Sequence, residues 1–189
     1  LVDGRTLKWM AAGVLRAKYS CTDAIEAVCW CSFDSTEAGA DATVSRREWF
    51  MCALHRDSFS LFGVNGEMRT VSLEFETISS AATSQGLLFL ATDGRAHLLS
   101  HSLDEPSVVP GFESSSETRV VWSCPRRSDV ITFDASRSAL EAWSLVREGV
   151  ENVIDSGGGL DEYAIRARRE WFEQVECGSN LVECSVVHD

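Results

Sequence analysis

The fold is decided by residues 59–75, which run Phe59-Ser60-Leu61-Phe62-Gly63-Val64-Asn65-Gly66-Glu67-Met68-Arg69-Thr70-Val71-Ser72-Leu73-Glu74-Phe75. Two apolar and β-branched runs flank the dipeptide Asn65-Gly66. Both central residues of a tight hairpin turn need positive φ, and asparagine and glycine tolerate it best. The stretch therefore predicts an antiparallel pair of strands over 59–64 and 68–75.

Similar runs, separated by turn signals, fill most of the remaining chain. Further hairpins are predicted across Thr92-Asp93-Gly94 and across Asp134-Ala135-Ser136-Arg137. Residues 7–19 contain Gly13 and are expected to form two short strands joined by a turn. The other predicted strands cover residues 24–33, 49–55, 87–91, 96–103, 119–123, 130–133, 140–146 and 181–187. This pattern indicates an all-β meander.

Three polar stretches interrupt the strands, and one helix is expected. Exposed loops are predicted over residues 34–46 and 104–118, which are rich in small and polar residues. A flexible joint is predicted over residues 149–159, because this stretch ends in Gly157-Gly158-Gly159. After this joint the apolar period changes from two to about 3.6. An amphipathic helix is therefore predicted over residues 160–175, with Gly178 at its C-terminal stop.

Composition limits the possible partners. The chain has 189 residues, of which 44% are hydrophobic and 24% charged, and its formal net charge is −12. This charge disfavours nucleic acids and anionic membrane surfaces, because both bind through clustered cations. No apolar run reaches the roughly 18 residues of a membrane span, and no signal peptide begins the chain. We expect a soluble fragment that lacks its native N-terminus.

The seven cysteines favour free thiols over a disulfide framework. Their number is odd, and most of them lie inside apolar runs. A reducing compartment is therefore expected. Cys29 and Cys31 form a C-x-C pair inside a predicted strand, and no second pair lies at a spacing that suits zinc. They are interpreted as strand core, and no bound metal is expected.

The sequence contains no recognisable catalytic motif. His97 and His101 have the spacing of a helical zinc pair, but in a strand they lie about 13 Å apart, too far for one metal. Both are expected at a hairpin end or on the surface. No G-x-S-x-G, H-E-x-x-H, G-x-G-x-x-G or P-loop occurs. The chain is predicted not to be an enzyme and to need no cofactor; a propeller enzyme acting on sugars or small esters stays a minor alternative.

The six tryptophans divide into two groups. Trp30, Trp122 and Trp143 lie inside strands and are expected in the core, whereas Trp9, Trp49 and Trp171 lie nearer the ends of elements and are candidate interface residues. Separately, Ser114 is a candidate phosphorylation site, since Glu117 follows it at the spacing that acidophilic kinases recognise.

Many short strands at regular spacing indicate a sandwich, a barrel or propeller blades. Because a propeller blade takes about 40–45 residues, the strands suffice for about three blades and the start of another. A propeller with so few blades is an open ring with uncovered strand edges. The isolated chain is therefore expected to be poorly soluble or oligomeric.

The ordered set of strand motifs resembles the subunit 1 family of the anaphase-promoting complex, in its N-terminal propeller. His101-Ser102-Leu103-Asp104-Glu105-Pro106 looks like that family's HPLDE segment, with Ser102 in place of proline. The other motifs, in order, are residues 27–33, 50–55, 59–62 with 65–67, 71–75, 86–89, 119–125, 130–136 and 142–145.

The resemblance implies a partial, open seven-bladed β-propeller with antiparallel blades, of which residues 1–189 form the first part. Residues 147–180 would be an inter-blade linker carrying the inserted amphipathic helix. It further implies a non-catalytic scaffold of a cullin–RING ubiquitin ligase that controls mitosis, located in nucleus and cytoplasm, with cullin-like, RING and tetratricopeptide-repeat subunits as partners. The family's phosphorylated regulatory loop is not carried over, because only residues 147–159 separate the strand from the helix. An unrelated β-propeller interaction module of trafficking or signalling stays open as the alternative.

Overall fold

A computed structural model describes residues 2–38, 43–63, 66–101, 105–149 and 163–174. Within these ranges every regular element is a β-strand. The strands are β1 Val2–Asp3, β2 Thr6–Ala11, β3 Val14–Ser20, β4 Ala27–Ala38, β5 Thr43–Leu54, β6 Ser58–Gly63, β7 Met68–Ser72, β8 Thr77–Thr83, β9 Gly86–Ala91, β10 Ala96–Ser100, β11 Ser107–Val108, β12 Thr118–Ser123, β13 Asp129–Asp134, β14 Ala139–Gly149 and β15 Tyr163–Gln174. The prediction of an all-β fold is confirmed.

The strands form four antiparallel sheets in chain order. Sheet 1 contains β1–β3, sheet 2 contains β4–β7, sheet 3 contains β8–β11 and sheet 4 contains β12–β15. Within each sheet, neighbouring strands are also consecutive in the sequence, which is the meander that short turns produce. In the part of the chain that the structure describes, the four sheets do not close into a ring.

The predicted hairpins are present where glycine supplies positive φ. Gly66 has φ +86° and its N–H donates to Gly63 O, and β6 pairs with β7 in the register Phe62 opposite Met68. Asn65 itself lies outside the described residues. Gly94, with φ +83°, turns the chain between β9 and β10. The turn chemistry read from the sequence therefore places both hairpins correctly.

Each sheet packs face to face against the next, and one apolar cluster lies between each successive pair. Leu7 of sheet 1 packs with Met51, Ala53 and Phe62 of sheet 2. Phe59 of sheet 2 meets Phe89 of sheet 3, with ring centroids 5.4 Å apart. The first strands β4, β8 and β12 lie beside one another along the edge of this row.

A clasp of three residues joins sheets 3 and 4. The N–H of Ala167 in β15 donates to Pro110 O at 2.9 Å, and Phe112 stacks on Trp143 with centroids 4.5 Å apart. Between them, Gly111 has φ +83°, and a Cβ there would lie 2.5 Å from Ala167 O. Only glycine fits this crossing without displacing β15.

The predicted helix over residues 160–175 was wrong for Tyr163–Gln174, which forms β15 instead. This strand pairs with β14 from Gly149 opposite Tyr163 to Ala139 opposite Gln174. A bulge leaves Glu170 without an opposite residue, because Ala142 pairs with Trp171 and Trp143 with Arg169. The apolar residues that fitted a helical stripe are divided between the two faces of this strand, with Ala167 and Phe172 on one face and Trp171 on the other.

Two predicted connections differ in outcome. Residues 34–46 were expected to be a loop, but β4 and β5 extend the sheet to Ala38 and from Thr43, pairing Ala38 with Thr43. The prediction was wrong there because cross-strand pairing outweighs the low strand propensity of small polar residues. The connection over residues 104–118 is irregular apart from β11 and Thr118 of β12, where the structure describes it, but the prediction that it is exposed was wrong for Val109 and Phe112, which are buried in the core. The glycine joint at 157–159, the residues near Gly178 and the strand at 181–187 lie outside the described residues.

Candidate functional site

Three tryptophans and a valine form one apolar area on sheets 1 and 2, here called the tryptophan surface (Trp9, Val28, Trp30 and Trp49). Trp9 and Trp30 meet edge to face, with ring centroids 6.4 Å apart. Val28, Trp30 and Trp49 remain 38%, 45% and 41% exposed. Exposed apolar side chains that adjoin one another in this way are typical of protein-binding surfaces.

The register of β4 and β5 places these side chains on one face. Trp30 lies opposite Met51, and Trp49 lies opposite Ser32, so both indoles point toward sheet 1. Sheet 1 covers the neighbouring Met51, which is 7% exposed, but leaves both indoles partly open. The tryptophan surface therefore arises because sheet 1 covers only part of this face of sheet 2.

A shallow pocket adjoins the tryptophan surface. It is lined by Trp9, Tyr19, Trp30, Met51, Phe62 and Gly63. Its wall is largely aromatic, and the Tyr19 hydroxyl already donates to Gly63 O at 3.3 Å. Such a pocket suits an apolar side chain of a partner protein better than a polar metabolite.

The structure separates Trp171 from the other two predicted interface residues. Trp171 is 45% exposed and lies on β15 of sheet 4, opposite Ala142. Its neighbour Phe172 points to the other face of the strand, where the Arg169 guanidinium lies 5.8 Å from the ring centroid. Trp9 and Trp49 thus share one surface, and Trp171 belongs to another.

The core prediction for the remaining tryptophans had three outcomes. Trp143 is 1% exposed, and its Nε1–H donates to Thr132 Oγ1 at 3.2 Å, so this prediction is confirmed. Trp122 is half-buried. For Trp30 the prediction was wrong, because no strand of sheet 1 covers its side chain fully. Trp30 is therefore a candidate interface residue that the sequence did not reveal.

Ser114 lies in the connection between sheets 3 and 4 and is half-buried. Its hydroxyl donates to Gly94 O at 2.8 Å, which ties this connection to the turn between β9 and β10. A kinase could reach the hydroxyl only after this hydrogen bond breaks. Phosphorylation of Ser114 stays a prediction.

Sheet 4 contains a buried ionic cluster that the sequence did not reveal. Asp134 and Glu141 are both 0% exposed, and Arg137 contacts them at 3.1 and 3.2 Å. Arg169 contacts Glu141 at 3.3 Å from the other side. Burial acts to raise the pKa of Asp134, but hydrogen bonds from Ser136 and neighbouring groups outweigh it and lower this pKa to about 2. Each oxygen of both carboxylates accepts at least one hydrogen bond, which is typical of structural ion pairs.

His97 and His101 make contacts within the core, and the expectation that His101 is superficial was wrong. His101 is 7% exposed, and its two ring nitrogens lie 2.6 Å from Ser32 O and 2.7 Å from Ser84 O, so it connects sheets 2 and 3. His97 stacks on Phe75 at 3.8 Å, and its Nε2 is buried without a hydrogen-bond partner. Burial lowers the pKa of His97.

Among the described residues, no three histidine, cysteine or acidic side chains are placed to share one metal ion, and no helix is long and apolar enough to cross a membrane. The sequence matches no protein-family model and, at a significant level, no curated protein. The tryptophan surface is the candidate site with the clearest geometry, because Trp9 and Trp30 are in contact and Trp30 and Trp49 remain partly exposed.

Proposed function

We propose that this chain is the first part of an open seven-bladed β-propeller and that it serves as a non-catalytic scaffold in the anaphase-promoting complex. Two kinds of observation support the proposal. The strand motifs resemble those of the subunit 1 family in their order, and the sheets follow one another as blades do. On this proposal the protein acts by holding other subunits and requires no cofactor.

The arrangement of the sheets carries the proposal. Sheets 2, 3 and 4 each have four antiparallel strands, and their first strands begin at Ala27, Thr77 and Thr118. This spacing is close to the roughly 40–45 residues of a propeller blade. Because β4, β8 and β12 lie side by side, they fit the innermost strands of three consecutive blades, with sheet 1 as part of a further blade.

The tryptophan surface is the proposed contact with another subunit. Tryptophan is enriched among residues that dominate binding energy, and truncation of one such residue costs about 2 kcal/mol or more. Trp9 and Trp49, together with Trp30, would insert into an apolar site of the partner. Trp171 is proposed as a second, separate contact.

The partners proposed for these surfaces are the cullin-like, RING and tetratricopeptide-repeat subunits, in nucleus and cytoplasm. Through them the protein would support ubiquitination of cell-cycle proteins during mitosis. Phosphorylation of Ser114 would release the bond to Gly94 O and alter the connection between sheets 3 and 4. Neither nucleic acid nor membrane is proposed as a partner.

Affinity purification of the full-length protein, followed by mass spectrometry, tests the assignment. We expect recovery of the cullin-like, RING and tetratricopeptide-repeat subunits together. Recovery of a different set of partners and none of these would overturn the assignment. An unrelated propeller module of trafficking or signalling would then be the better description.

The contact surface is tested by the double variant Trp30→Ala/Trp49→Ala. If each indole contributes about 2 kcal/mol, partner affinity falls by a factor of about 10³. Val108→Ala is a matched control, since Val108 is 51% exposed in sheet 3, away from the tryptophan surface. Equal recovery of partners with the double variant and the control would show that partners bind elsewhere.

A further inference from the structure

We propose that Cys29 and Cys52 form a reversible disulfide when the protein meets a peroxide, which makes this pair a redox modification site. The inference concerns sheet 2 alone and does not depend on the assignment to a ubiquitin ligase. It rests on the register of two strands, on the hydrogen bonds between thiols and on the partial exposure of Cys29 beside the buried Cys52.

The register brings the two sulfurs together. Cys29 in β4 lies directly opposite Cys52 in β5, and the two thiols share a hydrogen bond. Directly opposite residues have Cβ atoms about 4.5–5.5 Å apart, whereas a disulfide needs about 3.5–4.5 Å. Closure therefore requires a movement of about 1 Å, which adjacent strands can supply.

A third thiol is close but is placed less well. Cys31 lies opposite Phe50, one diagonal step from Cys52, and its thiol donates to Phe50 O at 3.7 Å. Diagonal pairs are about 7–8 Å apart, beyond the usual Cα separation in a disulfide. The Cys31 thiol also shares a hydrogen bond with Cys52, so it is the register, and not the hydrogen bonding, that selects Cys29 as the partner of Cys52.

The two thiols differ in burial, which assigns their roles. The hydrogen bond from Cys52 lowers the pKa of Cys29 despite burial, with a further contribution from Ser80, and the same bond raises the pKa of Cys52. Cys29 is half-buried, whereas Cys52 is buried. Cys29 is therefore the thiolate that meets the oxidant, and Cys52 is the resolving thiol.

The reaction balances with hydrogen peroxide as the oxidant. The Cys29 thiolate attacks one peroxide oxygen, so that an S–O bond forms, the O–O bond breaks and hydroxide leaves, giving a sulfenic acid. Cys52 then loses its proton, and its sulfur attacks the Cys29 sulfur. The S–S bond forms as the S–O bond breaks and the second oxygen leaves as water. In total, two thiols and one peroxide give one disulfide and two water molecules, and a dithiol reductant reverses the change.

The test treats the whole chain with hydrogen peroxide, blocks remaining thiols with iodoacetamide and maps tryptic peptides by mass spectrometry. We expect peptide 19–46 linked to peptide 48–56, with fragmentation placing the bond at Cys29, and loss of the link after treatment with dithiothreitol. Cys31→Ser should keep the link and Cys29→Ser should abolish it, while circular dichroism verifies that both variants fold.

Cys21 provides an internal control in the same peptide. Burial and the nearby Asp23 raise the pKa of Cys21, so its alkylation should be slower than that of Cys29 in the untreated protein. A link from Cys52 to Cys21 or Cys31, or unlinked peptides after Cys29 has been oxidised, would overturn the proposal. The fragmentation of the wild-type peptides decides this even if a variant fails to fold.

Discussion

Replacement of Asp134 by asparagine isolates the stabilisation that the buried ionic cluster of sheet 4 provides. The carboxylate is 0% exposed and accepts hydrogen bonds from Thr118 at 3.1 Å, from Ser136 and from the N–H of Arg137 at 3.2 Å. Asparagine retains the shape and one acceptor oxygen but not the charge. The pKa of Asp134 is about 2 in the folded protein and ordinarily 3.8. At about 1.4 kcal/mol per pKa unit, this difference corresponds to about 2 kcal/mol.

The sign of the pH dependence follows from this lowered pKa. The stabilisation is fully present above the unfolded-state pKa of 3.8 and is lost as the pH falls through the folded-state pKa of about 2. Urea unfolding at neutral pH should therefore show Asp134→Asn less stable than the wild type by about 2 kcal/mol, and the gap should shrink steadily below pH 3.8.

Asp129, at the other end of β13, supplies the control for this experiment. Its side chain is 39% exposed and contacts Arg127 at 3.4 Å, a geometry that contributes at most about 1 kcal/mol. Asp129→Asn should therefore have a smaller effect at neutral pH. The reasoning is refuted if Asp134→Asn costs no more than the control, or if its cost is the same at pH values above 3.8 and near 2.

Three further changes test the packing of the sheets by urea unfolding. Gly111→Ala should lower the free energy of unfolding by about 2 kcal/mol more than Gly13→Ala does. Both glycines have positive φ, but only a Cβ at position 111 would collide with backbone, at Ala167 O. Equal losses of stability would show that the clasp adjusts easily to the added Cβ. Trp143→Ala should cost about 3–5 kcal/mol, since a fully buried indole leaves a cavity, and a loss below about 1 kcal/mol would contradict that packing. His97→Phe should keep the stack and remove a buried, unpartnered nitrogen. Burial lowers the pKa of His97, so the wild type loses stability as the pH falls below the ordinary value of 6.5. The stability advantage of His97→Phe over the wild type should therefore grow below this pH. A stability difference that stays constant as the pH falls would contradict the prediction.

The strands of sheets 2 and 3 could be predicted well because their signals are local. Alternation of apolar residues and the turn glycines Gly66 and Gly94 fix both the strands and their connections. The strand β8, by contrast, contains Ser79 and Ser80 and gives little apolar signal. It forms because its partners in β9 are among the most deeply buried residues of the chain.

β15 shows why a periodic pattern alone can mislead. Ile165, Ala167 and Arg169 alternate onto the inner face, but the extra residue Glu170 shifts the next inward position to Phe172. The sequence carries no local signal for this bulge, since the bulge depends on how β14 pairs. The charged residues that suggested a wet helix face instead pair along and across strands, as Arg166 does with Glu148 at 3.3 Å.

The candidate site could be predicted only in part. The positions of Trp9 and Trp49 near the ends of strands suggested exposure, and the structure places both on the tryptophan surface. The exposure of Trp30 depends on how far sheet 1 reaches across sheet 2, which is a tertiary property. The burial of Glu141 likewise depends on Arg169, which lies 28 residues later in the chain.

One apolar cluster lies at each junction between sheets, so the described sheets are stabilised by contacts with their immediate neighbours in the row. Every junction stabilises only its two neighbours, so the free energy of unfolding is close to a sum of local couplings, as in repeat proteins. Sheets 2 and 3 both have neighbours on two faces, but sheet 1 leaves part of sheet 2 open, whereas sheet 3 lies between two four-stranded sheets and all six residues of its strand β9 are buried. Unfolding should accordingly begin at the outer sheets and reach sheet 3 last. The backbone amides of β9 should therefore exchange their hydrogens more slowly than those of the other described strands.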